Sequence, residues 1–385
     1  MNLGLRLSLF ALACLGHVSG TRAASPSLQV AVVRMPDGGI QPVAAVDAVT
    51  GTVHIVYFRG DAAHGDAFYV HSADGTVFST PTRVNSEPGS VIATGTVRGA
   101  QIAVGRNGRV YVAWNGSRSI APRQTPMYYA RMNVAGTAFE PQQNVMQHTD
   151  NIDGGGAVAA DRDGRVYVVW HGNEPGARDE AQRRVWLARS NDDGQTFERE
   201  HAVFDERTGV CGCCGLGAFA DDVGSVFVLF RSAFELVHRD MYLLTSHDHA
   251  RSFTGRKIDQ WNVGACVMST QAFAAGSSGL YTAWETEGQV YFGRIDPQTG
   301  IIARIVGAPG DNRTRKHPTL AVDADGRVLF AWTEGTGWSK GGTAAWQLFD
   351  AAGAPIGSAG QADGVPVWGL VASYRTRSGG FGLSY

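Results

Sequence analysis

The chain has 385 residues, too many for one small core, yet no interior stretch reads as a linker; a core that grows unit by unit is the usual way out. Glycine is abundant (50 residues), charge is sparse (18%) and Trp occurs nine times, which argues against a helical protein and for many short strands joined by Gly-rich turns. A net charge of −2 gives no field that would gather nucleic acid or an anionic membrane, so neither is expected as a partner.

The first element is an export signal. Arg6 precedes an apolar run over 7–18, and small residues follow up to Ala23, so residues 1–23 read as a cleaved signal peptide and 24–385 as a single mature domain. The apolar run is too short for a stable anchor, and no later stretch approaches a membrane span. The predicted location is therefore secreted or periplasmic. An alternative takes Cys14 as a lipoprotein acylation site, but apolar Leu15 and Val18 follow it where such a signal would turn polar.

Beyond the signal one unit recurs: an apolar strand, a turn ending in Gly, and a second apolar strand ending in an aromatic. Its copies are 43–47, Gly51 and 53–58; 101–104, Gly108 and 110–114; 158–161, Gly164 and 166–170; 218–221, Gly224 and 226–230. A worn copy follows at 271–275, Gly279 and 280–284. Two more stand at 320–323, Gly326 and 328–332, and at 369–374, Gly379 and 381–385. The turn glycines lie 47 to 60 residues apart, a period that holds four short strands plus turns. That is the content of a propeller blade. Trp114, Trp170, Trp284 and Trp332 end strands in register and are expected as plugs between blades.

A second pattern falls in the latter half of several units. Residues 190–197 read Ser-Asn-Asp-Asp-Gly-Gln-Thr-Phe, 72–78 are a shortened version with Ser72, Asp74 and Phe78, and 246–253 keep Ser246, Asp248 and Phe253 without the Gly. Such an Asp accepts turn N–H groups, Gly permits positive φ, and the aromatic pins the hairpin. On these boxes the sequence resembles the sialidase-like superfamily of Asp-box propellers over nearly the whole mature chain, which implies an all-β fold of four-stranded blades. Segment 29–34 resembles the third strand at 290–295, while 369–385 resembles a first half. The two ends together make one split blade, closing a ring of seven; six, the sialidase number, is the alternative.

The resemblance also implies where chemistry would sit. Sialidases use an arginine cluster on a carboxylate, a Tyr with a Glu partner, and an acid/base Asp. Arg59 and Asp66 resemble the family's Arg and Asp stretch, Arg231 is a further arginine candidate, and Tyr374 is a loose match to the late Tyr. Arg34-Met35-Pro36 lies too early to be the first arginine motif, so the full catalytic set does not map.

The cysteines stand outside that family pattern. After signal removal Cys211, Cys213, Cys214 and Cys266 remain. In an exported protein an even number invites disulfides, yet pairing all four forces a bridge inside 211–214, between 213 and 214, 211 and 213, or 211 and 214. Clustered thiolates could instead hold copper or zinc. Both segments fall in links between units, on the channel face where propellers bind ligands. His148, Asp150, His171, Arg239, Glu285 and His317 occupy comparable links and loops and are candidate ligand contacts. Three readings remain open at this point: a monomeric propeller binding a glycan or other polar ligand, with hydrolysis as an extension; a copper, zinc or redox propeller; and a scaffold or adhesion propeller.

Overall fold

A computed structural model describes residue 1 and residues 29–95, 98–117, 125–149 and 152–385. The expected export signal with Cys14, and Asp150, lie outside the described residues. The strands form six sheets of four and one of three. The four-stranded sheets occupy 40–83, 101–144, 156–202, 217–259, 272–307 and 315–365, numbered here as blades 1 to 6. Blade 7 joins Ala372–Arg375 and Phe381–Ser384 to Val30–Val33 from the other end of the chain. No helix among the described residues is long and apolar enough to cross a membrane.

The first strand of each blade lines an axial cavity of about 820 Å³. Small residues such as Ala157, Ala159, Ala218 and Ala274 face it, which lets seven strands stand close to one axis. Second strands have no solvent face. Val110–Asn115, Val166–Gly172 and Val226–Arg231 are buried along their whole length, so they read as continuous apolar runs instead of alternating ones. Trp114, Trp170, Trp284 and Trp332 are buried as expected.

Blade number is settled by the cores between blades. Trp114 packs with Val56 and Phe58 between blades 1 and 2, and Tyr374 packs with Val53, Ile55 and Tyr57 between blades 7 and 1. The other five junctions have their own apolar clusters. The ring has seven blades, and the six-bladed alternative is set aside.

Closure by the two termini holds, with one correction. Val30–Val33 pairs with Phe381–Ser384 in parallel, Val30 opposite Phe381 and Val33 opposite Ser384. The third strand Gln289–Ile295, to which this segment was compared, runs antiparallel to its second strand. The reason is connectivity. Val30–Val33 leads directly into the innermost strand Ile40–Val46, so it must end where links enter blades, as fourth strands do. It therefore takes a third strand's place with a fourth strand's direction, and blade 7 has three strands.

Antiparallel order sorts the connections onto two faces. Turns from first to second and third to fourth strands share one face, called the turn face. Links between blades and loops from second to third strands share the other, the mouth. On the turn face all seven repeat glycines have positive φ, between 71° and 124°. Asp47, Asp161, Asp221 and Asp323 each accept two turn N–H groups, as in Val49 N to Asp47 Oδ1 at 2.7 Å. In turn 190–197 the Asp192 carboxylate accepts from Ser190 Oγ (2.7 Å), Gln195 N (3.0 Å), Thr196 N (2.9 Å) and Thr196 Oγ1 (2.6 Å). Asp248 repeats the arrangement, with Ala250 at φ 61° in the glycine's place. Phe197 meets Tyr129 of the preceding blade edge-on at 4.8 Å, and Phe78 meets Tyr374 at 6.1 Å. Each hairpin is thereby pinned to the blade before it.

Candidate functional site at the channel mouth

The segment 211–214 is a tight turn in the link from blade 3 to blade 4. Cys214 N donates to Cys211 O (3.3 Å), Cys211 N to Arg231 O (2.9 Å) and Gly215 N to Ser269 O (3.0 Å). This turn aims three side chains at one point. Cys211 Sγ lies 3.3 Å from Cys213 Sγ and 3.2 Å from Cys214 Sγ, and Cys211 and Cys214 are 1% exposed. Gly212 is required by what lies over it: a Cβ there would collide with the Arg183 guanidinium and stand 2.8 Å from Asp153 Oδ2.

The disulfide expectation is corrected here. A disulfide needs sulfurs about 2.05 Å apart. No pair among the described cysteines reaches that, and Cys211, Cys213, Cys214 and Cys266 are free. The turn gathers three thiols around a common point instead of pressing two together.

The surroundings are cationic. The Arg231 side chain is 2% exposed, donates to Arg239 O at 2.7 Å, and pairs with the equally buried Glu285 at 3.4 Å. It also stands 5.4 Å from the Trp261 ring centroid. Burial pushes the Cys214 thiol up. Hydrogen bonds from Cys211 and Cys213, the Arg231 charge and the Ser269 N–H outweigh this and hold it well below an ordinary thiol. Donating to the other two thiols, together with burial, drives Cys211 well above. Glu285 is raised chiefly by burial, against the pull of Arg231. Cys266 is exposed beside Cys213, whose charge is the main influence pushing it up.

An arc of ion pairs continues round the mouth. Arg239 meets Glu180 at 2.9 Å, Glu180 meets Arg183 at 3.6 Å, Arg183 meets Asp153 at 3.6 Å and Asp153 meets Arg98 at 2.9 Å. Arg98 comes from the link between blades 1 and 2. Its Nη1 and the ring of Trp338 both press on Gly95: a Cβ there would lie 2.6 Å from the one and 3.2 Å from the other. Trp338 stands on the loop between the second and third strands of blade 6. It is 58% exposed and meets the half-buried Trp368 edge-on at 6.3 Å.

The sequence candidates divide between these regions. Cys211, Cys213, Cys214, Cys266, Arg231, Arg239 and Glu285 come together. His171 is fully buried beside them; Gly155 fits between its Nε2 and Cys214 O. Burial, then the charges of Arg183 and Arg98, hold His171 well below the usual imidazole value, and among the described residues neither ring nitrogen has a hydrogen-bond partner. His317 adjoins through Thr270 (3.3 Å), and burial lowers it to about 3. Arg59 and Asp66 face each other across blade 1, away from Arg231 on blade 4. Arg59 pairs with Asp37 at 2.9 Å, while Asp66 accepts from Asn85 Nδ2 (2.7 Å) and Gly89 N (2.8 Å). Tyr374 is buried in the core of the ring. His148 sits between Glu174 (2.9 Å) and Arg199 (2.8 Å). Sequence reasoning missed Trp338, Trp368, Arg98, Asp153 and Glu180. The available cue was a lone Trp in the Gly-rich loop 335–342 between two strands.

No family model matches the sequence, and no curated protein matches it. Many solved structures do. An α-L-arabinanase of Penicillium chrysogenum, complexed with arabinobiose, is 13% identical over 82% of this chain and 94% of its own, with a TM-score of 0.53. A variant of the NanB sialidase of Streptococcus pneumoniae is 10% identical, covers 77% of this chain and 65% of its own, and gives 0.51. A protein of unknown function from Dyadobacter fermentans is 14% identical over 86% and 96%, with 0.51. The chain shares their fold. That likeness concerns the scaffold, and function has to be argued from the mouth.

Proposed function

We propose that this is an exported carbohydrate-binding propeller whose mouth holds a sugar against Trp338. The observation that carries the reading is Trp338 itself, a large aromatic left 58% exposed on the loop between the second and third strands of blade 6. An exposed indole offers an apolar face to the C–H side of a sugar ring, while a few placed polar groups fix its orientation. Arg98 stands beside it across Gly95, and its ion pair with Asp153 at 2.9 Å holds it in place before any ligand arrives. Two solved propellers of the same fold, an arabinanase and a sialidase, act on glycans, which adds support to this choice of ligand class.

The proposal is one of binding. The arginines and the Tyr that would serve a sialidase reaction stand on different blades or in the core. A glycan array that includes arabinobiose and sialosides, probed with the full chain and with Trp338→Ala, tests the reading. Specific signals that disappear in the variant are expected. A blank array, or signals indifferent to Trp338→Ala, would overturn it.

A further inference from the structure

The sugar-binding reading gives the three clustered cysteines no role, and no disulfide joins them as a staple. Their sulfurs all lie within 4.8 Å of one another, the two closest pairs at 3.2 and 3.3 Å. Three thiolates around one ion at about 2.3 Å from each sulfur stand about 4 Å apart, so only a small outward shift separates this cluster from a coordination sphere. We propose that Cys211, Cys213 and Cys214 form a three-coordinate thiolate site for Cu(I).

Several features of the loop favour an ion over three idle thiols. Backbone N–H groups of Met268 and Ser269 are directed at the sulfurs of Cys213 and Cys214, as they would be toward thiolates. The guanidiniums of Arg231 and Arg239 flank the cluster and offset the negative charge of a thiolate set. His171 lies buried next to Cys214 with both ring nitrogens unpartnered among the described residues, a polar group that an ordinary apolar core would not hold.

Coordination number selects the metal. Structural Zn(II) takes four protein ligands in a tetrahedron. Here the sulfurs of Cys211, Cys213 and Cys214 all lie within 4.8 Å of one another, whereas Cys266, exposed at the edge, reaches Cys213 alone. Soft sulfur with low coordination suits Cu(I), and burial shields the ion from water and further ligands.

The test is an anaerobic titration of the full reduced chain, purified without chelators, with Cu(I) in competition with a colorimetric Cu(I) chelator. The expected result is one tightly held Cu(I) per chain. Cys211→Ser, Cys213→Ser and Cys214→Ser should each lower affinity beyond the roughly 10- to 100-fold that loss of an outer partner costs. Cys266→Ser should keep the stoichiometry. Because a serine in this buried turn can unsettle the loop, X-ray absorption on the copper-loaded wild type gives an independent reading, expected to show three sulfur scatterers. Failure to compete for Cu(I), nitrogen or oxygen scatterers in place of sulfur, or loss of binding in Cys266→Ser would each overturn the assignment.

Discussion

The two faces of the ring are made from the same strands, yet they follow different rules. On the turn face the connections repeat: an Asp accepts turn amides, a Gly takes positive φ, and an aromatic reaches the preceding blade. Among the described residues of the mouth the connections differ. One carries three thiols, one carries Trp338, and one stretches Arg98 across to Asp153. Repetition on one face secures the ring and leaves the other free to vary. Stability should therefore respond to changes on the turn face, and ligand binding to changes on the mouth.

Gly194→Ala should strike the turn face hardest. Gly194 has φ 74° and sits directly beneath the Tyr129 hydroxyl, so the added methyl meets both backbone strain and a collision. A loss of about 3 kcal/mol in urea denaturation is expected, and an unchanged midpoint would break the comparison. Next comes Trp338→Ala on the mouth, which should weaken sugar binding by about 2 kcal/mol, roughly 30-fold, with little change in stability. Unfolding of this variant would mean that Trp338 supports the fold. Asp192→Ala removes the acceptor of four turn hydrogen bonds and should cost about 1 kcal/mol while sparing ligand binding.

The smallest effect is a pH dependence. Amides of Val77 and Thr76 hold Asp74 below the usual carboxylate range. For Asp248 burial acts in the opposite sense, but the Ser252 and Ser246 hydroxyls and turn amides prevail and lower it as well. A carboxylate lowered in the folded state binds fewer protons there than when unfolded. Its contribution is thus complete above the unfolded value of about 3.9 and fades as pH falls toward the folded value. Stability should begin to fall as pH drops through about 6.5, where His171 and His317, lowered in the fold, take up protons only in the unfolded chain. It should fall further below about 4 as the turn carboxylates protonate, that last part less steeply in Asp74→Asn; an equal acid decline in that variant would remove these turns as its cause.

Much of the ring was legible in the sequence because turn chemistry is local. Asp47 and Gly51, Asp161 and Gly164, and Asp323 and Gly326 mark their hairpins whatever lies beyond them, and the buried Trp at the strand ends follow from the same register. The direction of Val30–Val33 was not legible, since a two-residue alternation looks the same read either way. Only its link into Ile40–Val46 decides it. The cysteine segment announced itself by composition, but not the state of its sulfurs, because the turn hydrogen bonds and the Arg231 loop set where each side chain points. Trp338 carried no periodic cue at all. Its ring packs close to Gly95, more than two hundred residues earlier in the chain.

One calorimetric comparison tests the division of labour directly: the rise in unfolding temperature on adding a sugar identified by the array, measured for wild type, Trp338→Ala and Asp192→Ala. A ligand that binds only the folded state raises that temperature by an amount that grows with the logarithm of its concentration relative to Kd. The account predicts that Trp338→Ala melts with the wild type and shows a much smaller rise at the same ligand concentration, whereas Asp192→Ala melts earlier and keeps the full rise. A rise undiminished in Trp338→Ala, or lost in Asp192→Ala, would contradict it.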